Sequence, residues 1–185
     1  MITYKQADII KEFKECPDYP ILAHQANCFK MGSGVAAAIL KEWPDAQLKE
    51  SNWPIKRFGN NEYHYPKINH VYKKGMIVNM CSQFYPGPCA PSDNIDNFET
   101  RRKALEQCLY DLRNTYELQN YDAKTKPQDM FFPFPAKILM PLVASGLAAD
   151  KAMKKNMTDL EYFKLYIAPV IEEILKDIDV TVCYL

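Results

Sequence analysis

The sequence predicts an α/β domain in which a sheet carries helices on both faces, and three observations lead there. Short apolar runs of strand length alternate along the chain with longer segments of helical period. The stretch from Ile21 to Trp43 passes from an apolar run (Ile21, Leu22, Ala23) through polar residues (His24, Gln25, Asn27) and two glycines (Gly32, Gly34) into an alanine-rich helix, which is a strand, a loop and a helix. A length of 185 residues with 48% hydrophobic content suffices for one sizeable core, and nothing marks a second domain, so residues 1–185 are read as one unit.

Taken in order, Ile2 to Tyr4 reads as a short edge strand. A helix follows from Ala7 and Asp8 to about Cys16, where Pro17 stops it and Asp8 has the chemistry of an N-cap. Paired glycines at the entry of the next helix let the backbone approach a ligand. With unpaired N–H groups and the helix dipole, they predict an anion, a phosphate above all. Trp43-Pro44-Asp45 ends that helix and starts another, with Lys49 and Glu50 on a solvated face. Ser51 to His70 is irregular, with Trp53, Tyr63 and Tyr65 as packing residues and His64 and His70 as surface or loop histidines. Met76 to Met80 has the length and composition of a buried strand, and the proline-rich segment Tyr85 to Ser92 follows it as a loop.

From Asn97 to Leu118, Phe98, Leu105, Leu109, Leu112 and Tyr116 recur at helical spacing, and Arg101, Arg102 and Lys103 read as a solvated face. Asn120 to Pro135 reads as an ordered excursion whose Phe131, Phe132 and Phe134 pack on the body. Lys137 to Val143 is the next strand, and Ala144 to Asp150 the turn after it. Leu160 to Leu175 is helical with a kink or break at Pro169, and Val180, Val182 and Tyr184 alternate in a closing strand.

Lys+Arg and Asp+Glu are equal at 23 each, so bulk charge favours neither nucleic acid nor an anionic membrane. No signal peptide pattern or long apolar run occurs, which predicts a cytoplasmic protein. The six cysteines include no C-x-x-C pair and read as reduced thiols; with three histidines in the chain, no metal site and no cofactor are expected. No window supplies the G-x-x-x-x-G-K-[ST] of a P-loop. Gly32, Gly34 and Ala37 spell G-x-G-x-x-A, but Asn27 to Met31 separate them from the strand and no acidic residue closes a second strand, so a dinucleotide fold is disfavoured. Gly34 stands where a cysteine phosphatase built on Cys28 would need arginine.

The letters HQANC, MGSGVAAAI and PLVASGLAAD resemble the macrodomain family, and within it the branch of small ADP-ribose 1″-phosphate phosphatase-like proteins. The resemblance runs from Tyr4 to the closing strand. It implies a three-layer α/β/α macrodomain with a mixed central sheet. It further implies that Asp8 meets the adenine amino group, and that Gln25, Met31, Gly32, Ser33, Gly34, Val35 and Gln83 contact ligand. Ala144, Ser145, Gly146, Leu147 and Ala148 would wrap the pyrophosphate; here Ala144 or Ser145 replaces the usual first glycine, and Ala148-Ala149 replaces a glycine pair.

By the same resemblance, His24 and Asp150 are the catalytic residues of phosphomonoester hydrolysis, with Asn27 holding ribose or orienting water. Asp150 can equally be an N-cap for a helix beginning at Lys151. The loop Tyr85 to Ser92 either covers the distal ribose or is a rigid connector. Two other functions stay open: removal of ADP-ribose from modified protein or nucleic acid, and binding of ADP-ribose without turnover. The branch that performs the former has an aspartate where this chain has Ala148, and a lysine near Ser82-Gln83.

Overall fold

The computed structural model describes residues 1–17, 19–27, 32–46, 67–72, 75–84, 87–89, 96–125, 137–145 and 149–185. Its strands are β1 (Ile2–Gln6), β2 (Ile21–Asn27), β3 (Lys67–Tyr72), β4 (Gly75–Gln83), β5 (Ile138–Pro141) and β6 (Val180–Tyr184). They form one sheet in the order β1-β6-β5-β2-β4-β3. Every neighbouring pair is parallel except β3 and β4, which run antiparallel, so the sheet is mixed. The helices are α1 (Ile9–Glu15), α2 (Gly34–Glu42), α3 (Phe98–Thr125), α4 (Asp159–Tyr162) and α5 (Ala168–Ile174).

Side chains alternate across a strand, so each strand feeds two cores. Ile21 and Ala23 of β2 and Met76, Val78 and Met80 of β4 pack with Leu105, Leu109 and Leu112 of α3 and with Phe163, Ile167 and Ile171. Their sequence neighbours Leu22, Ala26, Ile77 and Cys81 pack on the opposite face with Ile9 and Phe13 of α1 and Ile39 of α2. The expected three-layer α/β/α arrangement is therefore present. Burial on both faces explains the apolar runs Ile21 to Ala23 of β2, Met76 to Val78 of β4 and Ile138 to Met140 of β5.

Gly75 opens β4 because nothing larger fits: a Cβ there would stand 2.5 Å from the Pro20 carbonyl oxygen and 2.7 Å from the Phe13 ring. Phe13 is itself fully buried, with Trp43 edge-on to it at 5.3 Å between ring centroids. Asp8 caps α1 by accepting from the Ile10 and Lys11 N–H groups at 2.8 and 3.0 Å, an arrangement worth about 1 kcal/mol.

Several elements differ from the sequence expectation. β2 does not end at Ala23 but continues through His24 to Asn27, because His24 is paired in register with Asn79 of β4. Lys67–Tyr72, which overlaps the end of the stretch read as irregular, is an edge strand on β4. α3 continues past Leu118 to Thr125, so the excursion begins later than Asn120; Phe131, Phe132 and Phe134 lie outside the described residues. The same holds for Lys49, Trp53, Tyr63, His64 and Tyr65. Pro169 is accommodated without a break, since the chain passes from α4 into a π-helical turn at Phe163–Ile167 and then into α5 with Pro169 in its first turn. Among the described residues no helix is long and apolar enough to cross a membrane.

Candidate functional site

A cavity of about 1000 Å³ lies where the carboxyl ends of the parallel strands converge. In an open α/β sheet this is where a ligand crevice forms, because the strand-to-helix loops diverge there. Ala7 and Asp8 after β1, Gln25 and Asn27 at the end of β2, Gln83 ending β4, Leu142 to Ala144 after β5 and Tyr184 at the end of β6 all line it. Gly32, Ser33, Gly34 and Val35 form a further wall at the start of α2.

Among the described residues three helix starts reach this cavity, and they differ in how their N–H groups are satisfied. α1 is capped by Asp8. α4 is closed by a capping box, in which Thr158 Oγ1 accepts from the Glu161 N–H while a Glu161 carboxylate oxygen accepts from the Thr158 N–H. The start of α2 is different: Ser33 makes no side-chain cap bond, and Gly34 enters the helix at φ +56. The first N–H groups of a helix have no intrahelical partner and carry the positive end of its dipole. Among the described residues, Gly34 to Ala36 are therefore the backbone donors that an anion in this cavity can use. A Cβ added at Gly34 would meet no atom of the described residues within 4 Å, so among them the glycine serves backbone conformation and open access rather than packing.

The facing wall is held by Gln25, whose Oε1 accepts from the Ala144 N–H at 2.8 Å. Ala144 adopts φ +59, a left-handed conformation that glycine takes at less cost. Ser145 is fully buried, and its hydroxyl donates to the Val143 carbonyl at 3.0 Å, which places it beneath the turn and off the cavity wall. Met31, Gly146, Leu147 and Ala148, as well as Cys28, lie outside the described residues.

His24 reaches the wall of the cavity, yet its ring is fully buried. Nε2 is hydrogen-bonded to the Asn79 side-chain oxygen, and Nδ1 lies 3.1 Å from the Gln25 carbonyl oxygen. Burial pushes its pKa down to about 4, against a smaller opposing effect of those two bonds. At neutral pH the imidazole is uncharged, and its single N–H serves one of two acceptors.

Asp150 is equally engaged. Its Oδ1 accepts from the Ala152 and Met153 N–H groups at 2.8 and 3.0 Å, and its Oδ2 accepts from the Cys89 thiol at 3.3 Å. Burial works to raise its pKa, but the donors of Met153, Cys89 and Ala152 outweigh burial and hold the carboxyl below the usual carboxylate range. It caps a single turn rather than a helix, since residues 151–156 form turns. Asp150 is not on the cavity wall. The thiol of Cys89 is pushed up to about 11, first by burial and then by Asp150, so it stays protonated and donating.

The sequence did not single out Ile10, Leu142, Leu160 or Tyr184, which also line the cavity. Leu142 and Tyr184 follow or end strands, and that position was the available signal. Leu160 arrives through tertiary packing alone. Among the described residues no group of three or more histidine, cysteine, aspartate or glutamate side chains is placed to hold a metal ion.

Sheet order, crevice position and the glycine entry to α2 define an open α/β domain with a cavity at the carboxyl ends of its parallel strands. The solved structures it resembles make the class specific. A macrodomain protein from Streptomyces coelicolor matches over 100% of this chain and 99% of its own, with TM-score 0.56 and 17% identity. The macrodomain of Mycobacterium tuberculosis DarG matches over 99% and 97%, with TM-score 0.58 and 16% identity. A protein of unknown function from Bacteroides thetaiotaomicron matches over 100% and 98%, with TM-score 0.63 and 22% identity. No family model matches the sequence, and no curated protein matches it. The chain has the macrodomain fold.

Proposed function

We propose that the cavity binds ADP-ribose or a derivative of it. The observation that carries this reading is the uncapped start of α2, opening with Gly32 and Gly34 onto a cavity whose other two helix starts are capped. A pyrophosphate there takes the N–H groups of Gly34 to Ala36 on one side and faces the turn at Ala144, whose own N–H is held by Gln25, on the other. Both cap bonds of Asp8 fall on Oδ1, which leaves Oδ2 to accept from an adenine amino group. Asn27 and Gln83, paired in register at the ends of β2 and β4, line the cavity as well, and their polar side chains support a ribose on that side.

Hydrolysis of ADP-ribose 1″-phosphate, the activity of the branch that the sequence resembles, is the second reading, favoured by His24 on the cavity wall. It needs a proton for the leaving sugar oxygen and a base or positioned nucleophile for water. An imidazole that ionises near pH 4 is a poor acid at neutral pH, and Asp150 has both oxygens occupied away from the wall. The geometry thus supports binding over turnover by this pair. Removal of ADP-ribose from modified protein or nucleic acid is supported by no described side chain.

Thermal melting and product release test the two together. ADP-ribose at about a hundred times its Kd is expected to stabilise the protein by roughly 2.7 kcal/mol. Phosphate release from ADP-ribose 1″-phosphate, and ADP-ribose release from ADP-ribosylated protein or DNA, are expected at the rate of the buffer alone. No stabilisation at millimolar ADP-ribose sinks the binding proposal, and phosphate release well above the control restores the phosphatase reading.

A further inference from the structure

Arg101 belongs by sequence to the charged run on α3, where a solvated face was expected, but it is 7% exposed. Its Nε donates to Asp96 Oδ1 at 2.7 Å, and Nη2 pairs with the other Asp96 oxygen. Its Nη1 donates to the Gly87 carbonyl at 2.8 Å. Asp96 Oδ1 in turn accepts from the Phe84 N–H at 3.2 Å. One buried ion pair thus grips the chain directly after β4 and again at Gly87, which lines the cavity.

Two residues further on, the Cys89 thiol bonds Asp150, which caps the turn following the β5 loop. Cys89, Arg101, Ala144 and Tyr162 together bound a void of about 20 Å³ behind that loop. A planar guanidinium suits such a task, because its fork holds a carboxylate with two donors and keeps a third for a carbonyl.

We infer that Asp96 and Arg101 form a positioning latch for the cavity: they fix the segment after β4 through Phe84 and Gly87 and, through Cys89 and Asp150, hold it against the loop after β5. Neither residue touches the ligand. Asp150 accordingly acts as the far anchor of the latch, and its carboxylate serves loop geometry. The predicted effect on affinity rests on the ADP-ribose proposal, whereas the effect on the loop does not.

The test is a double variant, Asp96→Leu with Arg101→Met, because apolar residues of similar volume often replace a buried ion pair without loss of stability. Two quantities are read: the alkylation rate of Cys89 by iodoacetamide, mapped by mass spectrometry, and the Kd for ADP-ribose. In the folded double variant the Cys89 rate is expected to rise, and ADP-ribose binding to weaken, each by about tenfold. Arg101→Lys, which keeps the charge but loses the fork, is expected to fall between and supplies the same readouts if the double variant does not fold. A folded variant with unchanged Cys89 reactivity and unchanged affinity overturns the latch. Faster alkylation in a protein whose parent binds no ADP-ribose upholds the latch and rejects the ligand instead.

Discussion

Gly34→Val is expected to weaken ADP-ribose binding by at least about 100-fold, a loss of about 2.7 kcal/mol, while leaving the protein folded. Gly34 has φ +56 at the start of α2, a conformation that costs an L-residue roughly 1–2 kcal/mol and a β-branched one most of all. No atom of the described residues lies within 4 Å of the position a Cβ would take, so against them the valine adds backbone strain without a steric clash. The melting temperature should then fall by only about 2–8 °C. The side chain projects from the wall that offers the cavity's uncapped helix N–H groups, and there it keeps a phosphate from reaching them. Calorimetric titration beside a melting curve separates the two effects. Near-normal affinity would mean that the ligand does not use the start of α2.

Between pH 7 and pH 4 the protein is expected to lose about 3 kcal/mol of stability through His24 alone. Its folded pKa is about 4 because the neutral ring is buried, while the unfolded chain titrates near its ordinary value. Above that ordinary value both states are neutral and the contribution is complete. As the pH falls toward 4 the unfolded chain takes up a proton that the folded one refuses, and stability declines; below 4 both are protonated and the decline from this group ends. Urea titrations at several pH values, on the parent and on His24→Gln, isolate the effect. Glutamine does not titrate and can still donate toward Asn79. Because Asp150 and Glu161, with lowered pKa values, contribute equally to both curves, the difference between curves belongs to His24. Identical pH dependence in the two proteins would show that His24 is solvated and free to exchange protons, which would reopen its role as a catalytic acid.

The alternation of apolar runs with helical periods carried the layer architecture, because β2, β4 and β5 are buried on both faces and leave an unmistakable composition. The entry to α2 was equally legible, since two glycines before an alanine-rich segment have few other uses. Polar residues inside elements were harder to place. His24 reads as the start of a loop until Asn79 of a strand 55 residues later provides its partner. Arg101 reads as solvated among charged neighbours, although it falls on the apolar stripe between Phe98 and Leu105, and that spacing was the clue to its burial. Asp150 and Asp8 share one local pattern, an acid ahead of a turn or helix. Only the fold distinguishes them, by setting Asp8 on the cavity wall and Asp150 against Cys89.

If ADP-ribose seats its phosphates at the start of α2, the amides there report it. The most direct test is a titration of the ¹⁵N-labelled protein with ADP-ribose, followed through its amide resonances. Gly34, Val35 and Ala36 are expected to shift most, with Ala144 and Ile10 moving in step at the two flanks and α5 unchanged. Saturable binding that leaves the α2 amides unmoved, or shifts gathered on another face, would contradict it.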